Sequence, residues 1–144
     1  MMIVTFCGHH QIYRRDEVEP WLTQSIQDLI DEGADCFYLG NYGAFDRMAA
    51  WVLGTFKKKY PHIRIVLALA YRTQEYDAYL YDEVVYPIFD NKPRKYNIIR
   101  CNEWMVRQSD VIVAYVLYGW GGAAKTLDYA RAKKRRVLQY AEDL

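Results

Sequence analysis

Two adjacent glycines, Gly121 and Gly122, stand where an apolar run gives way to a helical pattern, and they are the residues best suited to meeting an anion. Without side chains, the first N–H groups of a helix are bare and the positive end of its dipole lies behind them, which favours a phosphate. A tight turn with no ligand uses the same residues, and the pair alone does not decide between the two. Two further glycine turns, at Gly8 and across Gly40, Asn41, Tyr42 and Gly43, also follow apolar runs. Cys7 and His9 lie two apart on an extended segment and share a face, the arrangement of a thiol with its base. Nothing else in the sequence completes an acyl-transfer site, so a core thiol is the expectation for Cys7. Cys7, Cys36 and Cys101 are odd in number and lack CxxC spacing, which predicts free buried thiols and neither a disulfide nor a metal site.

These turns need elements to hold them. Val111 to Tyr118 is an unbroken apolar run, bounded by Asp110 and Gly119, and reads as a buried central strand. The helix after it carries Ala123, Ala124, Leu127 and Ala130 on one face. Ile3 to Cys7, Cys36 to Leu39, Ile63 to Ala70 and Arg135 to Gln139 supply the other strands. A helix begins near Asp16, with Pro20 expected in its first turn and Gly33 as its C-terminal glycine. A second runs from about Asp46 to the basic end Lys57, Lys58, Lys59, stopped by Pro61, and a third covers Ile98 to Gln108. Between the third strand and that helix, residues 71–96 hold six tyrosines and no sustained period. A long connection with at most one short helix is expected there, serving either as a lid or contact surface or as packing on the sheet edge.

Strands alternating with helices, each strand uniformly apolar, imply an α/β fold: a Rossmann-like three-layer sandwich with a mainly parallel sheet of about five strands. In such sheets ligands bind outside the carboxyl ends of the strands, where the strand order reverses. The three glycine turns would converge on that rim.

Length and charge set further bounds. A chain of 144 residues, with 52% apolar and 26% charged residues, fits one domain spanning 1–144. A net charge of +1 gives no electrostatic reason to expect tight nucleic-acid or membrane binding. The run Arg131, Lys133, Lys134, Arg135, Arg136 is expected to be the solvated end of a helix whose dipole it complements. No leader is apparent at the first residues, and a cytoplasmic protein is expected. Trp104, Trp120 and the tyrosines are candidates for a self-associating surface, and hence a homo-oligomer.

The ordered set of motifs is more specific than any one of them. FCGHH, FYLGNYGAFDRMAA, VLALAY, YDEVVYP, RCNEWMVRQSDVIVAYV and GWGGAAKTLDYARAKKRRV together resemble the SLOG superfamily, most closely its small, single-domain bacterial members. That superfamily also includes the DNA-processing protein DprA and the LOG-type nucleotide phosphoribohydrolases. The resemblance covers nearly the whole chain and implies a nucleotide or nucleotide-derived ligand, ADP-ribose-like compounds among them, and no cofactor. Carried over by position, the implied ligand-binding residues are Gly8, His9, Gly40, Asn41, Gly43, Asp46, Arg100, Asn102, Gly121 and Gly122. Asp46 can cap a helix or accept from ribose hydroxyls, and Arg100 can pair with a phosphate or with a surface carboxylate.

Departures from the family pattern limit what is implied. Small members commonly have Gly-His-Arg after the first strand, whereas His10 follows His9 here, which makes any positive charge conditional on pH. The hydrolases pair an arginine with PGGxGTxxE. Here Cys101 stands at the arginine position, Lys125 at the threonine and Asp128 at the glutamate, a carboxylate shortened by one methylene. Three function classes follow: a nucleotide-binding or sensing module, a nucleotide N-glycosidase using Asp128 and Arg100, and a DNA-processing factor. The charge balance disfavours the third.

Overall fold

Apolar runs that alternate with amphipathic helices must bury both faces of the sheet they form, and the computed structural model, which describes residues 1–88 and 93–141, shows that arrangement. Six parallel strands, β1 (Met2–Gly8), β2 (Ala34–Leu39), β3 (Arg64–Ala68), β4 (Glu83–Val85), β5 (Val111–Tyr115) and β6 (Arg136–Gln139), lie in the order β4-β3-β2-β1-β5-β6. Helices α1 (Arg15–Asp31) and α2 (Ala44–Lys59) cover one face, α3 (Arg94–Gln108) and α4 (Gly122–Ala132) the other.

The alternation along each strand assigns the layers. Val4, Phe6, Val111, Val113 and Tyr115 point toward Val18, Leu22, Ile26, Phe45 and Leu53 of α1 and α2, while Cys7, Ile112 and Ala114 point toward Val106 of α3 and Ala124, Leu127 and Ala130 of α4. All five residues of β5 are buried, as expected of the central run, but the strand stops at Tyr115, three residues short of the expected Tyr118. The chain moves outward from β1 to β4 and then returns to lay β5 on the other side of β1. The order therefore reverses between β1 and β5, at the centre of the sheet.

The sheet has six strands where about five were expected. The additional strand, β4, is three residues long and sits on the edge, too short to show a period among Asp82, Tyr86 and Pro87. Asp82 registers it: its N–H donates to the Ile65 carbonyl and its carboxylate accepts the Ile65 N–H, each at 2.8 Å.

Pro20 is the sixth residue of α1, not part of its first turn, and leaves the carbonyl of Asp16 without its i+4 donor. Both residues are exposed, on the solvent side of the helix. Gly33 follows the helix with φ +107°, the left-handed conformation expected of a C-terminal glycine. The tyrosine-rich connection contains one 3-10 turn (Ala78–Leu80), and its residues 89–92 lie outside the described residues. Tyr71 and Tyr81 pack on the core, as the packing reading expects, whereas Tyr79 is 75% exposed.

All three cysteines are free and buried. The basic run at the end of α4 is largely engaged in structure: Arg135 donates to the carbonyls of Val106 and Arg107 at the end of α3, Arg131 to Gln139, and Arg136 to Glu32. Among the described residues no helix is long and apolar enough to cross a membrane.

Candidate functional site

The reversal between β1 and β5 opens a cleft at their carboxyl ends, and two adjoining cavities fill it. The first, about 190 Å³, is lined by Cys7 and Gly8 of β1, His10, Tyr42, Asp46 of α2, Ile98, Asn102 and Met105 of α3, and Gly122 and Thr126 of α4. The second, about 230 Å³, shares Gly8, His10, Gly122 and Ala123 with it and extends past Tyr13, Tyr118 and Trp120.

Glycines build this cleft in three different ways. At Gly8 a Cβ would lie 2.3 Å from the ring of the fully buried Phe45, so the bare backbone lets β1 end directly on that ring. A Cβ at Gly43 would meet the His10 Cα at 2.7 Å, and the His10 carbonyl there accepts the Ala44 N–H at 2.9 Å, binding the first loop to the start of α2. Gly121 takes φ +91° with ψ 177°, a combination essentially restricted to glycine, and turns the chain into α4. A Cβ at Gly122, by contrast, would meet nothing within 4 Å. The first residue of α4 thus presents open backbone to both cavities.

Asp46 is the carboxyl of the first cavity. It lies in the first turn of α2 and accepts the Tyr42 N–H at 3.3 Å, so it both supports the turn and faces the cleft. Burial raises the carboxyl from its ordinary value of 3.8 to about 6, against the opposing pull of that N–H and of the His10 and Arg47 charges. Tyr42, beside it, accepts the Ala70 N–H at 2.9 Å and is held against the end of β3. Burial pushes the Cys7 thiol up to about 12, with the Asp46 charge adding to the effect. Such a group is a core thiol and not a nucleophile at neutral pH.

His9 is 5% exposed and its Nε2 accepts the Leu117 N–H at 2.9 Å, tying the end of β1 to the segment after β5. Burial, with the neighbouring His10 charge, lowers its pKa, so the ring is neutral and its acceptor is committed to the backbone. Tyr118 stacks on it with centroids 4.0 Å apart and planes 11° apart. Replacing His9 by phenylalanine keeps a ring for that stack and removes the acceptor. Stability is expected to fall by about 1–3 kcal/mol, the usual cost of orphaning a partly buried N–H, read as a lower urea midpoint.

The residues singled out from sequence thus divide. Gly8, Asp46, Asn102 and Gly122 meet at the first cavity, with His9 and Gly121 beside them in the second. Gly40 and Gly43 shape the turn behind Asp46, and Asn41 faces a separate open groove, donating to the Glu75 carbonyl at 3.1 Å. Arg100 is two residues from both Ile98 and Asn102, hence about 200° around α3 from each, and does not line either cavity. Asp128 stands in the same relation to Thr126 on α4 and is exposed. Tyr42 and Thr126 were not singled out. Thr126 lies four residues after Gly122, the helical spacing that could have found it.

No family model matches the sequence, and no curated protein matches it. Solved structures do share its fold. The DNA processing protein A of Helicobacter pylori, described in terms of its single-stranded DNA binding mode, superposes with a TM-score of 0.70 at 14% identity, over 99% of this chain and 66% of that one. The DNA processing protein A (DprA) of Streptococcus pneumoniae gives 0.74 at 13% identity, over 99% of this chain and 51% of that one. The structure of TM1055, a structural-genomics target, gives 0.65 at 15% identity, over 95% and 72%. The chain therefore spans between half and two thirds of the two DNA processing proteins.

At these identities the likeness shows a shared Rossmann-like fold, in accord with the SLOG resemblance at that level. It also corrects one expectation. Nucleic acid was set aside on the balanced charge, yet the fold is shared with a protein that binds single-stranded DNA. Net charge averages over the whole surface, whereas a single strand is held by stacking and a few contacts in one groove, which the average does not register.

Proposed function

We propose that this chain is a SLOG-type nucleotide-binding module that holds a nucleotide or nucleotide derivative, with ADP-ribose-like compounds included, at the carboxyl ends of β1 and β5. The observation that carries this reading is the pairing, across one cavity at the strand-order reversal, of open backbone at Gly122 with the partly buried carboxyl of Asp46. The first N–H groups of α4 suit a phosphate. Asp46 and Asn102 suit the hydroxyls of a ribose, the carboxylate as acceptor and the amide as both donor and acceptor. The apolar remainder of the lining, Ile98 and Met105 among it, lowers the polarity around those contacts. A nucleotide within a single strand offers the same phosphate and sugar, so free nucleotides and strands are two sources of one chemistry.

Calorimetric titration and thermal shift with AMP, other nucleoside monophosphates, NAD, ADP-ribose and a short oligothymidylate test this reading, each mixture being assayed afterwards for released base. Binding of at least one with a raised melting temperature is expected, since a ligand taken only by the folded state must stabilise it. Gly122→Val supplies the internal control. The Cβ of the new side chain enters open space at a residue with no positive φ, so the fold is expected to keep its melting temperature while affinity for phosphate-bearing ligands falls at least tenfold. Unchanged affinity in that variant, or no binding by the unaltered protein, would remove the reading. The glycosidase alternative on Asp128 and Arg100 has no observation in its favour, since neither residue lines the cleft. Base release that Asp128→Asn abolishes would restore it.

A further inference from the structure

Three rings at the second cavity form a continuous stack that the phosphate and sugar contacts leave unused. His9 is buried and fixed by the Leu117 N–H. Tyr118 lies over it at 4.0 Å, and Trp120 lies over Tyr118 with centroids 4.3 Å apart and planes 26° apart. The stack therefore runs from the core to the surface, and Trp120 at its outer end is 71% exposed. An indole this exposed presents a large apolar surface at the rim of the cavity. Trp120 lines the same cavity as His10, Gln11 and Tyr13, directly beside Gly121 and Gly122.

We propose that Trp120 is a base platform: a nucleobase continues the His9–Tyr118–Trp120 stack, its phosphate lying toward Gly122. This rests on the nucleotide reading above and adds to it the part of the ligand that meets the second cavity. The order of the rings explains why the platform holds its orientation. Each ring is set by the one beneath it, and the lowest is tied to the backbone, so the outer indole is oriented before a ligand arrives. Stacking of this kind accepts any base, because every base has a π-face. The platform therefore selects a nucleotide over a sugar phosphate without selecting among bases.

The experiment compares AMP with ribose 5-phosphate, which lacks the base, by calorimetry on the unaltered protein, Trp120→Ala and Trp120→Phe, with an oligothymidylate as the strand source. The unaltered protein is expected to bind AMP at least tenfold more tightly than ribose 5-phosphate. Trp120→Ala should erase that preference and leave ribose 5-phosphate affinity unchanged, and Trp120→Phe should recover most of it. If strands are the natural source, the oligothymidylate shows the same dependence at higher affinity. Equal binding of AMP and ribose 5-phosphate by the unaltered protein overturns the platform while leaving the phosphate site standing. A Trp120→Ala variant that loses both ligands equally, or neither, overturns it as well. Failure of the unaltered protein to bind any of the three overturns the nucleotide reading itself. Trp120 is exposed and its ring stacks on Tyr118, so Trp120→Ala should lower the melting temperature only slightly and Trp120→Phe by less, and a large fall in Trp120→Ala would show that the ring is structural.

Discussion

Placing a single methyl group at Gly8 should destabilise the protein by about 3 kcal/mol, the upper part of the range for overpacking a core. A Cβ there would lie 2.3, 2.4 and 2.7 Å from the Cδ2, Cγ and Cβ of Phe45, well inside contact distance. Phe45 cannot yield: it is fully buried and its ring stacks on Tyr115 with centroids 5.6 Å apart. Tyr115 is fixed in turn, accepting the Tyr13 N–H at 2.9 Å and donating to the Tyr13 carbonyl. The end of β1, the start of α2 and the loop before α1 are thus locked through one ring. A double-mutant cycle separates this clash from a general intolerance of side chains at position 8. Phe45→Ala alone should cost about 3–5 kcal/mol through its cavity. Gly8→Ala combined with Phe45→Ala should cost less than the sum of the two, because the contacts with Cδ2 and Cγ are gone and only the 2.7 Å contact with the Cβ at position 45 remains. Additive losses in urea denaturation would place the cause of the Gly8 effect elsewhere than in Phe45.

That lock explains what the sequence made legible. Gly8 stood out because an apolar run stopped on it, and the run and its stop are local features. Phe45, which makes the glycine necessary, is 37 positions away in the chain and announces nothing locally. Strands β1, β2, β3 and β5 were readable because burial on both faces imposes a continuous apolar run, whereas the edge strand β6 shows only the pair Val137 and Leu138 after the basic end of α4. The edge strand β4 has three residues, takes its register from the Asp82 carboxylate, and leaves no such trace. Helix phase decided the candidate site in the same way. Asp46, Arg100, Asn102 and Asp128 were all carried over by position from the family pattern, which ignores helix phase; Asp46 and Asn102, with Gly122, fall on the faces of α2, α3 and α4 that meet at the cleft, and Arg100 and Asp128 do not. Two residues along a helix carry a side chain to the far side. Nucleic acid was misjudged for a related reason, since composition sums charges whose effect depends on where they lie.

Replacing Asp46 with asparagine should make the protein more stable at neutral pH and less able to hold its ligand. The sign follows from the carboxyl being raised from 3.8 to about 6. Between those values the unfolded chain has released the proton while the folded chain still holds it, so stability falls as pH rises through that window. Above about pH 6 the full cost of burying the charge is present, about 3 kcal/mol for a displacement of this size. Asparagine keeps a carbonyl to accept the Tyr42 N–H and removes the charge. The stability difference between the variant and the unaltered protein should therefore be near zero below pH 4, grow through pH 4–6, and reach about 3 kcal/mol in favour of the variant at pH 7–8. Urea midpoints across that range measure it, and the difference isolates Asp46 from every other titrating group. Nucleotide affinity should move the other way, falling roughly tenfold with the loss of a charged hydrogen bond to the sugar. An unchanged or lower stability at pH 8 would show that water already reaches the carboxylate. Stabilisation without loss of affinity would show that its charge serves something other than the ligand. Opposed changes in stability and affinity identify a residue retained for function, since a chain selected for stability alone would not bury an unneeded charge beside open backbone.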